Sequence, residues 1–364
     1  MSIPFTPLVA SLPAAVPFVG PETIQRQTGE IFRARLGANE SAFGMSPKAK
    51  AAVQAELEWA SWYGDPENYD LRKALAEKHG VEMENIMVGE GVDAILGYTV
   101  RMIAGPGAPV VTSLGAYPTF NYHVAGYGAE LITVPYRDDH EDPDALLSKV
   151  RETGAPLMYI ANPDNPMGTW HDAGRIQALI DGVPDGCLLV LDEAYIDFAP
   201  DGSSPPVDVG NPKVIVMRTF SKAHGMAGMR VGYAIGNADL ITGLGKVRNH
   251  FAMNRLSQVA ALASLHDTEY LAWVVSEVET GRQETYALAE RLGLQALPSA
   301  TNFVAIDLGS SERATAMLQG LAAKGVFIRM PGVAPLNRCI RVSIGRPDER
   351  AIFAEAFEEV LRTL

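Results

Sequence analysis

Cysteine is scarce in this sequence. Only two of the 364 residues are cysteines, Cys187 and Cys339, and each lies in an apolar run. Two isolated thiols cannot form the disulfide framework of a small secreted protein. They predict buried free thiols in strands, which is typical of proteins from a reducing compartment. We therefore expect a cytoplasmic protein.

The chain also lacks long apolar runs and an excess of basic residues. No stretch approaches the roughly 20 apolar residues that a membrane-spanning helix needs. Residues 1–21 carry no charge, but prolines at positions 4, 7, 13 and 17 interrupt any apolar helix, so we interpret this stretch as an arm rather than a signal peptide. The net charge of −13 disfavours nucleic acid as a partner. We expect neither a membrane nor a nucleic acid to be a partner.

The apolar residues occur mostly as short runs separated by helical patterns. With 47% hydrophobic and 20% charged residues, the chain is long enough for about two domains with a large core. Alternation of strands and helices predicts an α/β fold with a mostly parallel sheet covered by helices on both faces. The predicted strands are 109–112, 130–134, 157–161, 188–191, 214–217 and 232–235.

The pattern changes after about residue 237. Helices are predicted at 239–249, 268–292, 311–324 and from Pro347, with strands at 302–306, 326–329 and 340–344. This part of the chain predicts a smaller α+β unit. We expect an N-terminal arm over residues 1–35 that joins the small domain or a dimer partner, a large domain over 36–265 and a small C-terminal domain over 266–364.

One segment, residues 218–232, combines a lysine, a hydroxyl, spaced glycines and an arginine. Lys222 directly follows Ser221, and Arg230 lies eight residues further on. A lysine amine can form a Schiff base with a carbonyl, while Ser221, Arg230 and nearby amides could hold a phosphate. Pyridoxal phosphate carries both an aldehyde and a phosphate, so the segment predicts a site for this cofactor.

Further polar motifs follow two of the predicted strands, at the end where ligands bind in open α/β sheets. Asp192 follows strand 188–191 and could pair with a protonated pyridine nitrogen, with Tyr195 close to the ring oxygen. Alternatively, Asp192 only caps a helix or a turn. Asn165 lies in the proline-flanked loop after strand 157–161 and could donate to the ring oxygen, although an isolated motif of this kind is more often a turn.

Two other motifs could complete such a site. Gly91, Val92 and Asp93 precede a predicted helix, whose N-terminus would attract an anion; the alternative is a tight turn. Tyr117 follows strand 109–112 and could stack on a planar ring, or it could be a core aromatic. The occurrence of all these motifs together favours one cofactor site.

In order and spacing, these motifs resemble the fold type I pyridoxal-phosphate-dependent aminotransferases of class I/II. The chain is most similar to the histidinol-phosphate aminotransferase subfamily, over about residues 36–345. One motif departs from the usual Asn-Pro-Asn-Asn-Pro-Thr-Gly, because Asp164 and Met167 occur here. The stretches that carry the resemblance are 36–40, 63–65, 71–72, 89–93, 117–118, 162–166, 192–195, 221–222 with Arg230, and Arg329 with Arg341.

The resemblance implies the fold type I architecture, with a large cofactor domain and a smaller α+β domain, and it implies a homodimer. It also implies a role for each matched residue near the cofactor ring. Lys222 would bind the aldehyde and shuttle a proton, and Asp192 would pair with the pyridinium. Tyr195 and Asn165 would bind the ring oxygen, and Tyr117 would stack on the ring.

The resemblance further implies residues for the phosphate and for the substrate. The phosphate would be held by Gly91, the amides of Val92 and Asp93, Ser221, Arg230 and, from the partner subunit, Tyr63. Arg341 would bind the substrate carboxylate, with Arg329 and Asn39 nearby. No metal is implied.

The reaction expected from the resemblance is amino transfer by a ping-pong Schiff-base mechanism. The donor would be histidinol phosphate or an aromatic amino acid, and the acceptor 2-oxoglutarate. An alternative is a decarboxylase of the threonine-phosphate decarboxylase type, which shares most of these motifs. A ligand-sensing regulator is disfavoured because only about 35 residues precede residue 36. A hydrolase built on Ser221 and Lys222 would leave Asp192, Asn165 and Tyr117 unexplained.

Overall fold

A computed structural model describes residues 3–13, 19–29 and 31–364 of the chain, without the side chain of residue 28. Part of the expected N-terminal arm (residues 1, 2, 14–18 and 30) lies outside the described residues. The strands are β1 Ala34–Arg35, β2 Ile86–Gly89, β3 Pro109–Ser113, β4 Glu130–Val134, β5 Leu157–Ala161, β6 Leu188–Asp192, β7 Val214–Thr219, β8 Gly232–Gly236, β9 Gln295–Ala296, β10 Phe303–Asp307, β11 Val326–Phe327 and β12 Cys339–Ser343.

Thirteen α-helices and five short 3-10 helices are present in the described part of the chain. The α-helices are α1 Pro7–Ser11, α2 Pro21–Thr28, α3 Pro47–Glu56, α4 Tyr69–His79, α5 Val92–Ile103, α6 Pro118–Gly126, α7 Pro143–Thr153, α8 Ala173–Gly182, α9 Ala238–Gly245, α10 Arg255–Leu265, α11 Thr268–Arg291, α12 Ser311–Ala323 and α13 Pro347–Leu361.

The central sheet has seven strands in the order β2-β8-β7-β6-β5-β3-β4. The pairs from β7 to β4 are all parallel, whereas β8 runs antiparallel to both of its neighbours. The sheet is therefore mostly parallel, as expected from the sequence. The exception matters for the site, because the antiparallel pair β7–β8 is joined by the loop that contains Lys222.

Both faces of the central sheet are buried. Successive residues of β5 face opposite sides of the sheet: Met158 contributes to one apolar cluster, and Tyr159 contributes to another. Helices α4, α7, α8 and α10 contribute to one cluster, and α5, α6 and α9 to the other. Such two-sided burial explains why these strands are continuous apolar runs rather than alternating patterns.

A second sheet, with the order β12-β10-β9, is antiparallel and has its own apolar core, to which α11, α12 and α13 contribute. The register pairs Ala305 of β10 with Arg341 of β12. Strand β1 pairs in parallel with β11. Ala34 and Leu36 are buried in the same core as this sheet, which attaches the chain after the arm to the smaller unit. The exact domain boundaries remain our proposal.

Several element boundaries differ from the sequence expectation. The sequence predicts a helix over residues 66–79, closed by Gly80. Helix α4 begins later, at Tyr69, because Asp65 accepts hydrogen bonds from the amides of Glu67 and Tyr69 and forms a turn there. Helix α10 was not expected at all. It begins at Arg255, and the side chain of Asn254, the residue before it, accepts from Ser257 N and caps the first turn.

Cys187 and Cys339 are free and buried, as the sequence predicted, and burial raises the pKa of each thiol to about 12. Among the described helices, none combines the length and apolar character needed to cross a bilayer.

Candidate active site

A cavity of about 230 Å³ lies at the carboxyl ends of the parallel strands. Ligand sites in open α/β sheets form at this edge, since several strand-end loops meet there. Most of the cofactor-site residues expected from the sequence line this one cavity. The lining residues are Ala38, Glu40, Val92, Asp93, Tyr117, Tyr159, Ala161, Asn165, Asp192, Ala194, Tyr195, Thr219, Ser221, Lys222, Ala227 and Arg230.

Asp192 is the last residue of β6, and it is buried at the base of the cavity. Its Oδ2 accepts a hydrogen bond of 2.8 Å from Tyr159 Oη, and its Oδ1 accepts from Ala194 N at 2.9 Å. Burial raises the pKa of the Asp192 carboxyl to about 6, although the hydrogen bond from Tyr159 opposes this shift. The carboxylate thus closes a turn, as the alternative interpretation predicted, and also lines the cavity.

Tyr159 was not anticipated from the sequence as a site residue. It lies on β5, is fully buried, and stacks on Phe120 with a ring-centroid distance of 4.5 Å. The register pairs Ala161 with Asp192, so Tyr159 is two residues back on the same face of the sheet. The alternation of side chains along β5 could have indicated this contact, because a tyrosine two residues before Ala161 is long enough to reach Asp192.

Lys222 points across the cavity towards the smaller unit. Its Nζ donates to the carbonyl oxygen of Asn39 at 3.2 Å and lies 5.4 Å from the centre of the Tyr195 ring. Tyr195 itself is buried and contacts Phe303 edge to face. The lysine amine therefore lies between the two sheets, within reach of a ligand held in the cavity.

Asn39 connects the two sides of the site. It is buried and has a positive φ of 55°, a conformation that asparagine tolerates better than most residues. Its Nδ2 donates to Tyr195 Oη at 2.9 Å, and its Oδ1 accepts from Ser343 Oγ at 3.1 Å. Because its carbonyl also accepts from Lys222, the residue fixes the tyrosine hydroxyl and the lysine amine together.

The loop between β7 and β8 brings Ser221 and Arg230 to the same end of the cavity. Thr219 Oγ1 contacts Ser221 Oγ at 3.0 Å, accepts from Ser221 N, and donates to Val231 O across the hairpin. Thr219 was also not anticipated from the sequence. Gly225 closes the loop with a φ of +67°, and a Cβ there would be only 2.0 Å from Gly44 O.

The N-terminus of α5 faces the same end of the cavity. Among the described residues, no side chain caps its first turn, so its first amides are available to an anion. Asp93 accepts from Tyr117 Oη at 2.6 Å and lies 3.6 Å from the Arg230 guanidinium. The guanidinium also packs on Gly91, where a Cβ would be 2.4 Å from Arg230 Nη2.

Arg341 and Arg329 belong to the smaller unit, where their backbones form a bridge, and neither is among the residues that line the cavity. Arg341 Nη1 donates to Asn165 Oδ1, and its Nη2 donates to Gly37 O at 3.1 Å. Its Nε is buried without a hydrogen-bond partner among the described residues, and burial lowers the pKa of the guanidinium. Arg329 donates to the arm, at Val19 O, over 2.7 Å.

Tyr63 does not line the cavity of its own chain. Its side chain is 77% exposed, and its ring lies 4.8 Å from the ring of Phe251. Trp59 and Trp62 are exposed nearby and pack on each other. These aromatic side chains form an exposed patch on the large unit.

A pair of buried carboxyls lies behind the loop that contains Asn165. Asp164 accepts from Tyr136 Oη at 2.8 Å and from Met167 N at 3.0 Å. Glu141 Oε1 accepts from Ala161 N at 2.9 Å, while its Oε2 has no hydrogen-bond partner in the described structure. Burial raises the pKa of Asp164 to about 7 and that of Glu141 well above its ordinary range.

The donor set of the cavity fits pyridoxal phosphate. Lys222 supplies an amine for the aldehyde, and the buried carboxyl of Asp192 matches a pyridine nitrogen that must stay protonated. The uncapped amides of α5, beside Arg230, match the phosphate. The unpartnered Arg341 Nε matches an anionic substrate group. In contrast, among residues 3–13, 19–29 and 31–364 no cluster of three or more His, Cys, Asp or Glu side chains could hold a metal.

The fold and this cavity define a pyridoxal-phosphate-dependent enzyme of fold type I, and comparisons with known proteins agree. The family model for aminotransferase class I and II matches residues 34–357. The chain is 37% identical over 331 residues to histidinol-phosphate aminotransferase 2 of Pseudomonas fluorescens strain Pf0-1, covering 90% of this chain and 88% of that protein. It is 32% identical over 350 residues to histidinol-phosphate aminotransferase 2 of Carboxydothermus hydrogenoformans, covering 94% and 95%.

A solved structure supports the same conclusion. The crystal structure of histidinol-phosphate aminotransferase from Sinorhizobium meliloti in complex with pyridoxal-5'-phosphate matches with a TM-score of 0.97 at 49% identity, covering 100% of this chain and 99% of that one. The chain therefore belongs to the class I and II aminotransferases and, within them, to the histidinol-phosphate aminotransferase family. It is a pyridoxal-phosphate-dependent aminotransferase.

Proposed function

We propose that this aminotransferase transfers the amino group of histidinol phosphate, or of an aromatic amino acid, to 2-oxoglutarate in a ping-pong reaction. The observation that carries the chemistry is that Lys222 and the buried Asp192 line one cavity. The names of relatives at 32–49% identity support histidinol phosphate as the donor to test first.

At the ring end, each residue would hold one part of the cofactor. Asp192 would bind the pyridine nitrogen and keep its proton, since the Tyr159 hydrogen bond favours the ionised carboxylate. Tyr195 and Asn165 would bind the ring oxygen, and Tyr117 would stack on the ring. Bound pyridoxal phosphate supplies an electron sink for the bond that breaks at the substrate Cα.

At the phosphate end, the first turn of α5 and the β7–β8 loop would provide the donors. Gly91 allows the close approach of Arg230, and the amides of Val92 and Asp93 face the same space. Ser221 Oγ would complete the set. A dianionic phosphate would be stabilised there by the helix dipole and by the guanidinium.

Lys222 would first bind the cofactor aldehyde and would then, as a free amine, carry the proton between the substrate Cα and the cofactor. Its hydrogen bond to Asn39 O holds Nζ beside the ring of Tyr195. A positioned amine of this kind contributes roughly 10²- to 10⁴-fold to proton transfer.

Arg341 would bind the carboxylate that the acceptor and an amino-acid donor share, and Asn39 and Arg329 would border the substrate. Its Nη1 is oriented by Asn165, while Nε remains for the ligand. A guanidinium and a carboxylate can form two parallel hydrogen bonds, which would orient the substrate as well as bind it.

We also propose that the active form is a homodimer in which Tyr63 reaches the phosphate of the partner subunit's site. The exposed aromatic patch that includes Tyr63 supports this proposal, because large exposed apolar patches are typical of interfaces.

Replacement of the lysine tests the chemistry. With Lys222→Ala we expect transamination to fall by roughly 10²-fold or more. Reduction with borohydride followed by peptide mass spectrometry should attach the cofactor to Lys222 in the wild type. The variant Lys213→Ala, which removes a surface lysine paired with Asp185, is the control and should remain labelled and active. Undiminished turnover in Lys222→Ala would refute the proposal.

A donor panel tests the substrate. Histidinol phosphate, phenylalanine and tyrosine would be offered with 2-oxoglutarate, and formation of glutamate would be measured. We expect histidinol phosphate to give the highest kcat/KM. Release of carbon dioxide from an amino-acid phosphate without need of an oxo acid would instead favour the decarboxylase.

A further inference from the structure

Arg338 joins the two units of the molecule close to the substrate side of the cavity. It ends the 3-10 helix Leu336–Arg338 directly before β12. Its Nε contacts Asp307 Oδ2 at 2.7 Å, within the smaller unit, and its Nη2 contacts Asp139 Oδ2 at 2.7 Å, on the large unit. All three side chains are about three-quarters buried, at 25, 23 and 20% exposure, so solvent weakens these ion pairs less than surface pairs.

The large-unit partner lies in a tight and specific turn. Asp138 and Asp139 both have positive φ, at 49° and 63°, and the bridge between Arg137 and His140 closes the turn around them. Few side chains tolerate this conformation, and aspartate and asparagine are among those that do. The carboxylate that meets Arg338 is therefore presented by a rigid hairpin.

The same hairpin also supports the loop that contains Asn165. Thr169 Oγ1 donates to Asp139 O at 2.9 Å, and Thr169 O accepts from Asp164 N at 2.8 Å. Asp164 is the residue before Asn165. One hairpin is thus hydrogen-bonded to the Asn165 loop and ion-paired to the segment that enters β12.

Arg341 follows Arg338 by three residues, which is roughly 10 Å along an extended chain. Its Nη1 donates to Asn165 Oδ1, so β12 meets the large unit a second time at the cavity itself. The hairpin that contains Asp139 is linked to Asn165 through Thr169 and to Arg341 through Arg338. It can therefore fix the position of Arg341 relative to Asn165.

We propose that Arg338, ion-paired with Asp139, is a positioning residue that holds Arg341 against Asn165 in the geometry that binds the substrate carboxylate. This role rests on the proposed function of Arg341. Loss of the pair leaves the small-unit bond to Asp307 intact but frees the start of β12 from the large unit. Carboxylate affinity then falls, while Lys222 and Asp192, which belong to other elements, keep their positions.

The test uses three matched variants of the holoenzyme and maleate, an unreactive dicarboxylate, as the probe. Asp139→Asn keeps the left-handed turn and removes the charge that faces Arg338. Asp307→Asn removes the second carboxylate that faces Arg338. In the wild type, Asp307 Oδ1 also accepts a hydrogen bond from Gly309 N at 2.7 Å, and the asparagine oxygen can keep this bond. Arg341→Lys reports whether the carboxylate binds at Arg341 at all.

We expect Asp139→Asn to raise both the maleate Kd and the KM for the oxo-acid acceptor roughly five- to tenfold, with kcat changed less than about twofold. Asp307→Asn should lower Tm and change the Kd by less than about twofold. An equal loss of affinity in both aspartate variants, or none in Asp139→Asn, would overturn the positioning role. If Arg341→Lys left the Kd unchanged, the proposed role of Arg341 would fail instead. Binding would be measured by titration calorimetry.

Discussion

At the scale of single residues, the buried hydroxyl of Tyr159 has the clearest chemical consequence. It donates to Asp192, which burial would otherwise favour in the neutral form. A hydrogen bond to a charged group is worth about 1.5–3 kcal/mol. The proposed pairing of Asp192 with the pyridinium would therefore depend on Tyr159, which lies behind it.

We expect Tyr159→Phe to weaken pyridoxal phosphate binding to the apoprotein by about tenfold at neutral pH, because Asp192 would ionise less readily. The dissociation constant would be measured by fluorescence quenching during reconstitution. Tyr136→Phe is the matched control, since it removes a hydroxyl from Asp164 instead. If both variants bound the cofactor equally well, the assigned role of the Tyr159 hydroxyl would be wrong.

The buried Glu141 predicts a pH dependence of stability. Burial raises its pKa, so the stability it contributes is present below its ordinary pKa of about 4.5 and is lost as the pH rises towards the raised value. Over that range each pH unit costs about 1.4 kcal/mol. Glu141→Gln keeps an acceptor for Ala161 N and cannot ionise.

The apoprotein of Glu141→Gln should therefore gain Tm relative to the wild type as the pH is raised from 5 to 8. Thermal unfolding followed by circular dichroism would measure this difference. Glu58→Gln, at an exposed position, should show no such trend. A constant difference at all pH values would indicate that Glu141 is already ionised in the native protein.

At the scale of elements, the strands of the central sheet were largely predictable because burial on both faces makes them continuous apolar runs. Helix α10 was missed although Asn254 is a readable cap, because the helix is defined mainly by its packing against α3, which is a tertiary contact. Strand β2 was missed because only four residues form it, directly after a 3-10 helix, and the last of them is Gly89.

The residues of the cavity also differed in how far the sequence could predict them. Lys222, Asp192 and Asn165 could be proposed from the sequence because each lies in a local motif after a strand, and all three line the cavity. Tyr159 and Thr219 were missed because their contacts join different strands or a strand and its own hairpin. Sequence alone places such residues only when register is known, and register is a tertiary property.

The glycine loop around Lys222 yields a prediction at the scale of elements. Gly225→Ala should destabilise the protein by about 3 kcal/mol or more, because a Cβ would combine a positive φ with a clash against Gly44 O. Gly228→Ala is the control in the same loop, where a Cβ meets open space. Urea unfolding and cofactor content would be measured, and equal stability of the two variants would contradict this interpretation of the loop.

At the scale of the whole molecule, the proposed sharing of each site between two subunits predicts complementation between variants. Lys222→Ala and Tyr63→Ala should each be poorly active alone. After subunit exchange in an equal mixture, about a quarter of the sites should regain function, because each heterodimer has one site with both residues intact. Recovered activity would be compared with mixtures of each variant with itself. No recovery after proven exchange would exclude a contribution of Tyr63 across the interface.

The antiparallel strand β8 has a consequence for folding. Because Thr219 pairs with Gly232, the segment that contains Ser221, Lys222 and Arg230 is closed by a local hairpin. Contacts of low sequence separation form early and cost little loop entropy. Asp192 and Asn165, in contrast, reach the cavity only when the long parallel crossovers have assembled. Lys222, the proposed covalent anchor, and Ser221 and Arg230, two of the proposed phosphate donors, therefore belong to one kinetic unit of the chain. We expect that hairpin to form before the rest of the pocket closes around it.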